Sequence, residues 1–254
     1  MIESDDQREN YTHMFSVART VPKESLYITC GRAPLRFLIQ RRRLLYLWHL
    51  IYRDKTEIIY KYYLAQKLQN NANDWLYQTY QSKKDLNINL DDEDIVLMSK
   101  QKYKTYIDHQ IFVSVRKYLE NMRITHSKCK GIPAFTGKPE TYIFSKQLQQ
   151  EEIKVLYKLK SRMINVYDNF RNANSSIWCK TCFLFPETQS HLISCEKIKE
   201  KLANVIDFST ISYDHLHGTV GQQENLAKIY SIVLKTREDL LTQLTPNGDQ
   251  STGD

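Results

Sequence analysis

Apolar residues recur at three- and four-residue intervals along most of the chain, the pattern of helices that each bury one face. The spacing predicts a helix from about Pro34 to Arg53, opening on a proline, which suits a first helical turn. A second covers about Thr56–Gln69. A third starts from Asp74, a good N-cap type, and reaches about Leu86. The acidic run Asp91–Asp94 suits the positive end of another helix. A long helix from about Lys102 to Arg123 places Tyr103, Ile107, Ile111, Val115, Tyr118 and Met122 on one stripe. Further on, Ile153, Leu156, Met163, Tyr167 and Phe170 recur at helical spacing. A short helix runs through Ile198, Leu202, Val205 and Ile206, and a last one, about Gln222–Leu244, carries Leu226, Ile229, Val233 and Leu240. No segment of convincing length alternates with the period of a strand, and no internal repeat is seen. The expected fold is all-α, a bundle-like helical array.

Glycine and proline divide this array. The segment KCKGIPAFTGKPE, residues 128–140, holds two of the seven glycines and two of the six prolines. It is read as a linker between a helical, Arg-rich region at 25–127 and a second helical region at 141–244. Residues 1–24 are expected to be a loose leader and 245–254 a disordered tail.

Lysine and arginine exceed aspartate and glutamate by 7, with a pI near 9.0, which favours an acidic partner such as nucleic acid. No apolar run reaches spanning length; the longest, Leu44 to Tyr52, is broken by His49, so no membrane partner is expected. The start MIESDDQREN is acidic, unlike a secretory signal or an Arg-rich transit peptide. Five cysteines, an odd number, then point to a reducing intracellular compartment, nuclear or cytoplasmic. Cys30 and Cys129 stand alone and are expected to be inert thiols.

The other three cysteines carry chemistry in their spacing. Cys179, Cys182, His191 and Cys195 read C-x2-C-x8-H-x3-C. Thiolate and neutral imidazole are preferred zinc ligands, and four of them close a tetrahedral site with no open position, so a structural Zn2+ is expected within a small CCHC module at 178–196. His191 and Cys195 are four apart, which on a helical turn puts both on one side. Lys180, Lys197 and Lys199 are placed to offset the site's net negative charge. Trp178, Phe183 and Phe185 flank the cysteines. They can form a platform for unstacked bases, yet at least two of the three are expected to fill the core of so small a module.

Arg41, Arg42 and Arg43 point in very different directions, because successive helical residues turn by about 100°. Arg41 falls in the most apolar arc, between Phe37, Leu38, Leu44, Leu45 and Trp48. It either snorkels along that arc, pairs with a carboxylate of another helix, or belongs to a docking surface for a negatively charged partner. Arg36, Arg42, Arg43 and Arg53 cover other sides, where phosphates can be met. With Lys180 and Trp178, Arg36, Arg42 and Arg43 are the candidate nucleic-acid contacts. Asp91–Asp94 is read as a helix cap and not a two-metal cluster, since such chemistry needs carboxylates from separate elements. Asp214, His215 and His217 are read as a turn. No nucleophile elbow, P-loop or dinucleotide fingerprint is present, so neither an enzyme nor a small-molecule substrate is expected.

Several stretches together resemble the C-terminal region of non-LTR retrotransposon polyproteins, downstream of their reverse transcriptase domain. They are GRAPLRFLIQRRRLLYLWHLI, YYLAQKLQNNANDW, EEIKVLYKLKSRMINVYDNF, WCKTCFLFPETQSHLISC and ENLAKIYSIVLKTREDLL, spanning roughly residues 31–243. The arginine helix followed by a helix with Leu159, Ser161 and Arg162 is the more specific part. The resemblance implies that Cys179, Cys182, His191 and Cys195 bind zinc and that the segment helps grip RNA or DNA. The polymerase Asp-Asp hairpin and the restriction-like endonuclease of that family have no counterpart in this sequence. The expectation is therefore a non-catalytic fragment or remnant, with a zinc-stabilised protein-interaction module as the alternative.

Overall fold

Most of the long apolar stripes become helices. The computed structural model describes residues 15, 22–170 and 176–244, and these hold ten α-helices and no strand beyond one isolated bridge. In chain order they are α1 (Lys23–Thr29), α2 (Leu35–Ile51), α3 (Ile58–Gln69), α4 (Trp75–Asp85), α5 (Asp92–Leu97), α6 (Lys100–Thr125), α7 (Gln150–Lys160), α8 (Gln189–Ser194), α9 (Glu196–Leu202) and α10 (Val220–Leu244). The fold is all-α. The expected leader lies outside the described residues except for Phe15, which is buried, and for its end, where Lys23 and Glu24 already belong to α1. The expected tail, 245–254, also lies outside them.

Two groups of core residues organise the molecule. In the first, α2 packs on α6. Phe37, Leu44, Leu47 and Leu50 meet Tyr103, Ile107, Ile111, Val115 and Leu119, a stripe that steps by four along α6. Leu119 takes the buried place that the spacing assigned to Tyr118, which is half-buried and donates its hydroxyl proton to Glu24 at 2.7 Å. Each fully buried leucine here contributes about 1.5–3 kcal/mol through removal of apolar surface from water. Arg41 pairs with Asp108 of α6: Nε lies 2.6 Å from Oδ1 and a terminal nitrogen 3.2 Å from Oδ2. Of its three readings, the carboxylate partner is the one the structure shows.

Local chemistry sets some helix starts and not others. Asp91 caps α5 in a capping box with Asp94. Asp74 stands at the N-cap of α4, yet its side chain makes no cap bond and its Oδ2 is buried without a partner. Pro34 sits one position ahead of α2 and is not inside its first turn.

Residues 128–140 do not behave as a linker. Cys129, Ile132 and Phe135 are buried. A Cβ on Gly131 would lie 2.3 Å from the Lys160 carbonyl oxygen, and one on Gly31 would lie 2.2 Å from the Lys138 carbonyl carbon. The glycines are there because backbones touch. The Glu140 amide also donates to Thr29 O at 2.9 Å, and Glu140 pairs with the buried Lys160 ammonium. The segment is a packed crossing between the two cores.

The second core gathers Leu156, Tyr157 and Leu159 of α7 with Leu226, Ala227, Ile229, Tyr230 and Val233 of α10, and receives Phe15, Leu26 and Cys30 from the start of the chain. The periodic run through Met163, Tyr167 and Phe170 is not helical. After Lys160 the chain closes a Schellman motif: Met163 N–H donates to Lys158 O at 2.7 Å and Arg162 N–H to Leu159 O at 3.2 Å, with Arg162 left-handed at φ 53°. Likewise α9 ends at Leu202, which leaves Val205 exposed.

Candidate metal centre

Between residues 177 and 187 the chain doubles back on itself. Cys179 N–H donates to Phe185 O at 2.7 Å and Glu187 N–H to Ile177 O at 2.8 Å, around the Trp178–Pro186 bridge. Phe183, left-handed at φ 58°, turns the tip and donates its amide to Cys179 O at 2.8 Å. This knuckle presents Cys179 and Cys182. The next two candidates come from α8, which Thr188 starts by accepting the His191 amide at 3.0 Å. Cys195 does not share a continuous helix with His191. It is the last cap of α8 and the first cap of α9, held extended at ψ 118°.

All four donor atoms lie within 4.8 Å of one another, close enough for a single ion to touch them all. Cys179 Sγ and Cys195 Sγ are 3.9 Å apart; Cys182 Sγ and His191 Nε2 are 3.4 Å apart. A tetrahedral ion with bonds of about 2.3 Å to sulfur and about 2.0 Å to nitrogen has edges of about 3.8 Å and about 3.5 Å, so the residues fit. Cys179 and Cys195 are fully buried, and the Thr181 hydroxyl lies between them, 3.0 and 3.2 Å from the two sulfurs. The neighbouring Cys195 sulfur, the Thr181 hydroxyl and the Cys182 and Thr181 amides hold Cys179 well below the ordinary thiol range. Sharing that one proton pushes Cys195 up. Among the described residues no second group of three or more such side chains meets. Asp214, His215 and His217 lie on a 3-10 turn, Tyr213–His217. Cys30 and Cys129 are buried, and burial pushes both thiols up to about 11.

Residues between the ligands fasten the module to the second core. Glu187 Oε1 accepts from Arg237 of α10 at 2.6 Å, with both side chains buried. Gln189 donates to Leu159 O at 3.1 Å and to the Tyr213 hydroxyl at 2.6 Å, and its own carbonyl accepts from Tyr230 at 2.6 Å. None of Glu187, Gln189 or Arg237 was singled out from the sequence. One signal was present: Arg237 continues the stripe Leu226, Tyr230, Val233 at four- and three-residue steps, a cation on an apolar face just as Arg41 is.

The candidate nucleic-acid contacts fall on two surfaces. Trp178 and Lys180 are exposed on the knuckle. Arg36, Arg42 and Arg43 lie on α2, against the other core. Arg36 stacks over Tyr118 at 3.9 Å, Arg43 donates to Gln78 at 2.7 Å, and Arg42 is exposed. Of the offsetting lysines, Lys197 is taken up by Glu200 at 3.1 Å. The expectation that two of the three aromatics form a core is overturned: Trp178 is 46% exposed, Phe183 65% and Phe185 54%, with Ile177 and Leu184 exposed beside them. The module borrows its core from Leu192, Ile198 and the helices behind it, which frees its aromatics. Comparison with protein-family models, with curated proteins and with solved structures finds no match to this chain.

Proposed function

We propose that this chain is a non-catalytic, zinc-stabilised module that binds single-stranded nucleic acid. The observation that carries the reading is the exposed aromatic face of the knuckle, Trp178, Phe183 and Phe185 with Lys180 among them, mounted on four convergent metal ligands. Aromatic rings with a free face stack unpaired bases at about 1–3 kcal/mol each, and a neighbouring lysine serves the phosphates. Three thiolates and one imidazole favour zinc, and four protein ligands leave the ion no open position for a substrate. Its work there is to fix the knuckle, and a reducing compartment, nucleus or cytoplasm, keeps the thiols available. No helix among the described residues is long and apolar enough to cross a membrane. The order of arginine helix, Leu159–Ser161–Arg162 segment and Cys/His cluster supports descent from the C-terminal region of a non-LTR retrotransposon polyprotein.

The test is titration of zinc-loaded protein with single-stranded RNA and DNA. Binding is expected that weakens linearly in log salt, and that falls at least about tenfold in Trp178→Ala/Lys180→Ala. Absence of binding at low salt sinks the reading. A second reading, a protein-interaction module, is favoured by one observation. An apolar cavity of about 420 Å3 opens between α2, α3 and α4, lined by Tyr46, Leu50, Ile58, Tyr62 and Trp75, with Ile58 82% exposed. Indifference to nucleic acid together with one stoichiometric protein partner is the result that selects it.

A further inference from the structure

Two cavities flank the turn that follows α7. One, of about 290 Å3, opens between Lys130, Gln189, Ser190, Tyr213 and His217; the other, of about 350 Å3, has Ser127 and Lys128 at its edge. Arg162, Asp168 and Asn169 form the wall they share. That wall is built stiffly. Arg162 occupies the left-handed position where helices ordinarily place glycine, and its guanidinium is held by Asp168 at 2.5 Å and Asn169 at 3.4 Å. Asn169 is locked in turn by donating to Ile164 O at 2.8 Å and to Gln189 at 2.5 Å. The frame therefore runs from the end of α7 into the metal module.

The lining has the chemistry of a nucleotide site. Glu140 neutralises Lys160 and Asp168 pairs with Arg162, while Lys128 donates to the carbonyls of Arg162 and Asn169 and lies 3.9 Å over the Phe170 ring, and Lys130 is exposed without a partner. Lys130 thus remains an uncompensated cation at the edge of the smaller cavity. Beside it the half-buried Tyr213 offers ring surface, and its hydroxyl, which accepts from Gln189, keeps its own proton to donate. Pockets for small ligands start at about 300 Å3 and combine apolar walls with a few fixed polar groups.

We propose that this double cavity is a nucleotide subsite, with the phosphate at Lys130 and at the terminal nitrogen of Arg162 that Asp168 and Asn169 leave unused, and the planar base against Tyr213. Where the nucleotide belongs to a longer strand, the subsite rests on the single-strand reading above and extends it from the knuckle to the end of α7.

The test uses the zinc-loaded, nitrogen-15-labelled full chain titrated with adenosine monophosphate and, separately, with adenosine. The monophosphate is expected to shift the amides of Gly131, Arg162 and Gln189, adenosine to do so more weakly, and Lys130→Glu to weaken the monophosphate by at least about tenfold. In salt titrations with a single strand, Lys130→Ala is expected to lower the log–log slope by about 0.7, one phosphate contact. Unmoved amides at millimolar monophosphate overturn the subsite, as do shifts that survive both Lys130→Glu and Arg162→Gly unchanged. If strands bind and depend on Trp178 and Lys180 alone, the subsite falls while the knuckle reading stands. If the monophosphate binds through Lys130 but strands do not, the subsite stands and the single-strand reading falls.

Discussion

Arg237 and Arg41 show how the same sequence signal leads to different energetics. Both are cations on apolar stripes, and both find a carboxylate. The Arg237–Glu187 pair has 7% and 1% of its side chains exposed, the Arg41–Asp108 pair 32% and 40%. Removing one member of a buried pair strands the other charge, whereas water screens an exposed pair. Arg237→Met is therefore expected to cost about 3–5 kcal/mol in urea unfolding of the metal-loaded protein, and adding Glu187→Leu to recover most of it. Arg41→Met should cost under about 1 kcal/mol in the same assay. Arg162 offers a third case. Glycine there relieves a left-handed conformation that costs other residues about 1–2 kcal/mol, against loss of a partly exposed ion pair worth about 0–1 kcal/mol. Arg162→Gly should leave stability within about 1 kcal/mol or raise it slightly.

At the scale of elements, α5 shows a short helix made by its first turn. Asp91→Ala removes one side of the capping box and should cost about 1 kcal/mol, read from the denaturation midpoint. Asp92 inside that turn accepts from Tyr63 at 2.6 Å, Lys67 at 2.6 Å and Tyr80 at 2.9 Å, tying α3 and α4 to α5. Burial alone would raise its carboxyl, but the bonds from Lys67, Tyr63 and Tyr80 outweigh it and hold the group below its ordinary value of 3.8. A depressed acid stabilises the fold fully above its ordinary value and loses that contribution as pH falls through the lower folded value. The stability gap between wild type and Asp92→Asn should thus be constant near neutrality and shrink below about pH 4.

The same scale shows what the sequence made legible. The positions of α2, α3, α4 and α6 follow from local periodicity and end chemistry, and the four candidate metal ligands lie within seventeen residues, so local spacing brought that cluster into view. The periodic run 163–170 misled because apolar spacing does not report the Schellman turn that ends α7 at Lys160. Gly131 misled because a glycine needed for contact with Lys160 looks the same as one that marks a flexible joint. The fastening of the module through Glu187 and Arg237 joins residues fifty apart, and no local pattern encodes that pairing.

At the scale of the molecule, Cys179 and Cys195 are members of the second core as well as candidate ligands. On the proposed reading, losing the ion leaves buried sulfurs that must share a proton or separate, which couples metal binding to this core's stability. Chelator is expected to lower the melting temperature, and Cys179→Ser to reproduce the effect without it. Hydrogen exchange should accelerate first in α7, α8 and α10 while the α2–α6 pair keeps its protection. An unchanged melting curve and uniform exchange would contradict this division.

Helix α1 stands between the two cores. Leu26 and Cys30 face the later one, Tyr27 and Ile28 the earlier, and Ser25 reaches the Tyr157 hydroxyl at 2.7 Å across 132 positions of chain. A ribosome delivers this helix well over a hundred residues ahead of its partners on α7. At about 5–20 residues per second, the nascent chain exposes that waiting apolar edge for several seconds, long enough for a chaperone to sit there.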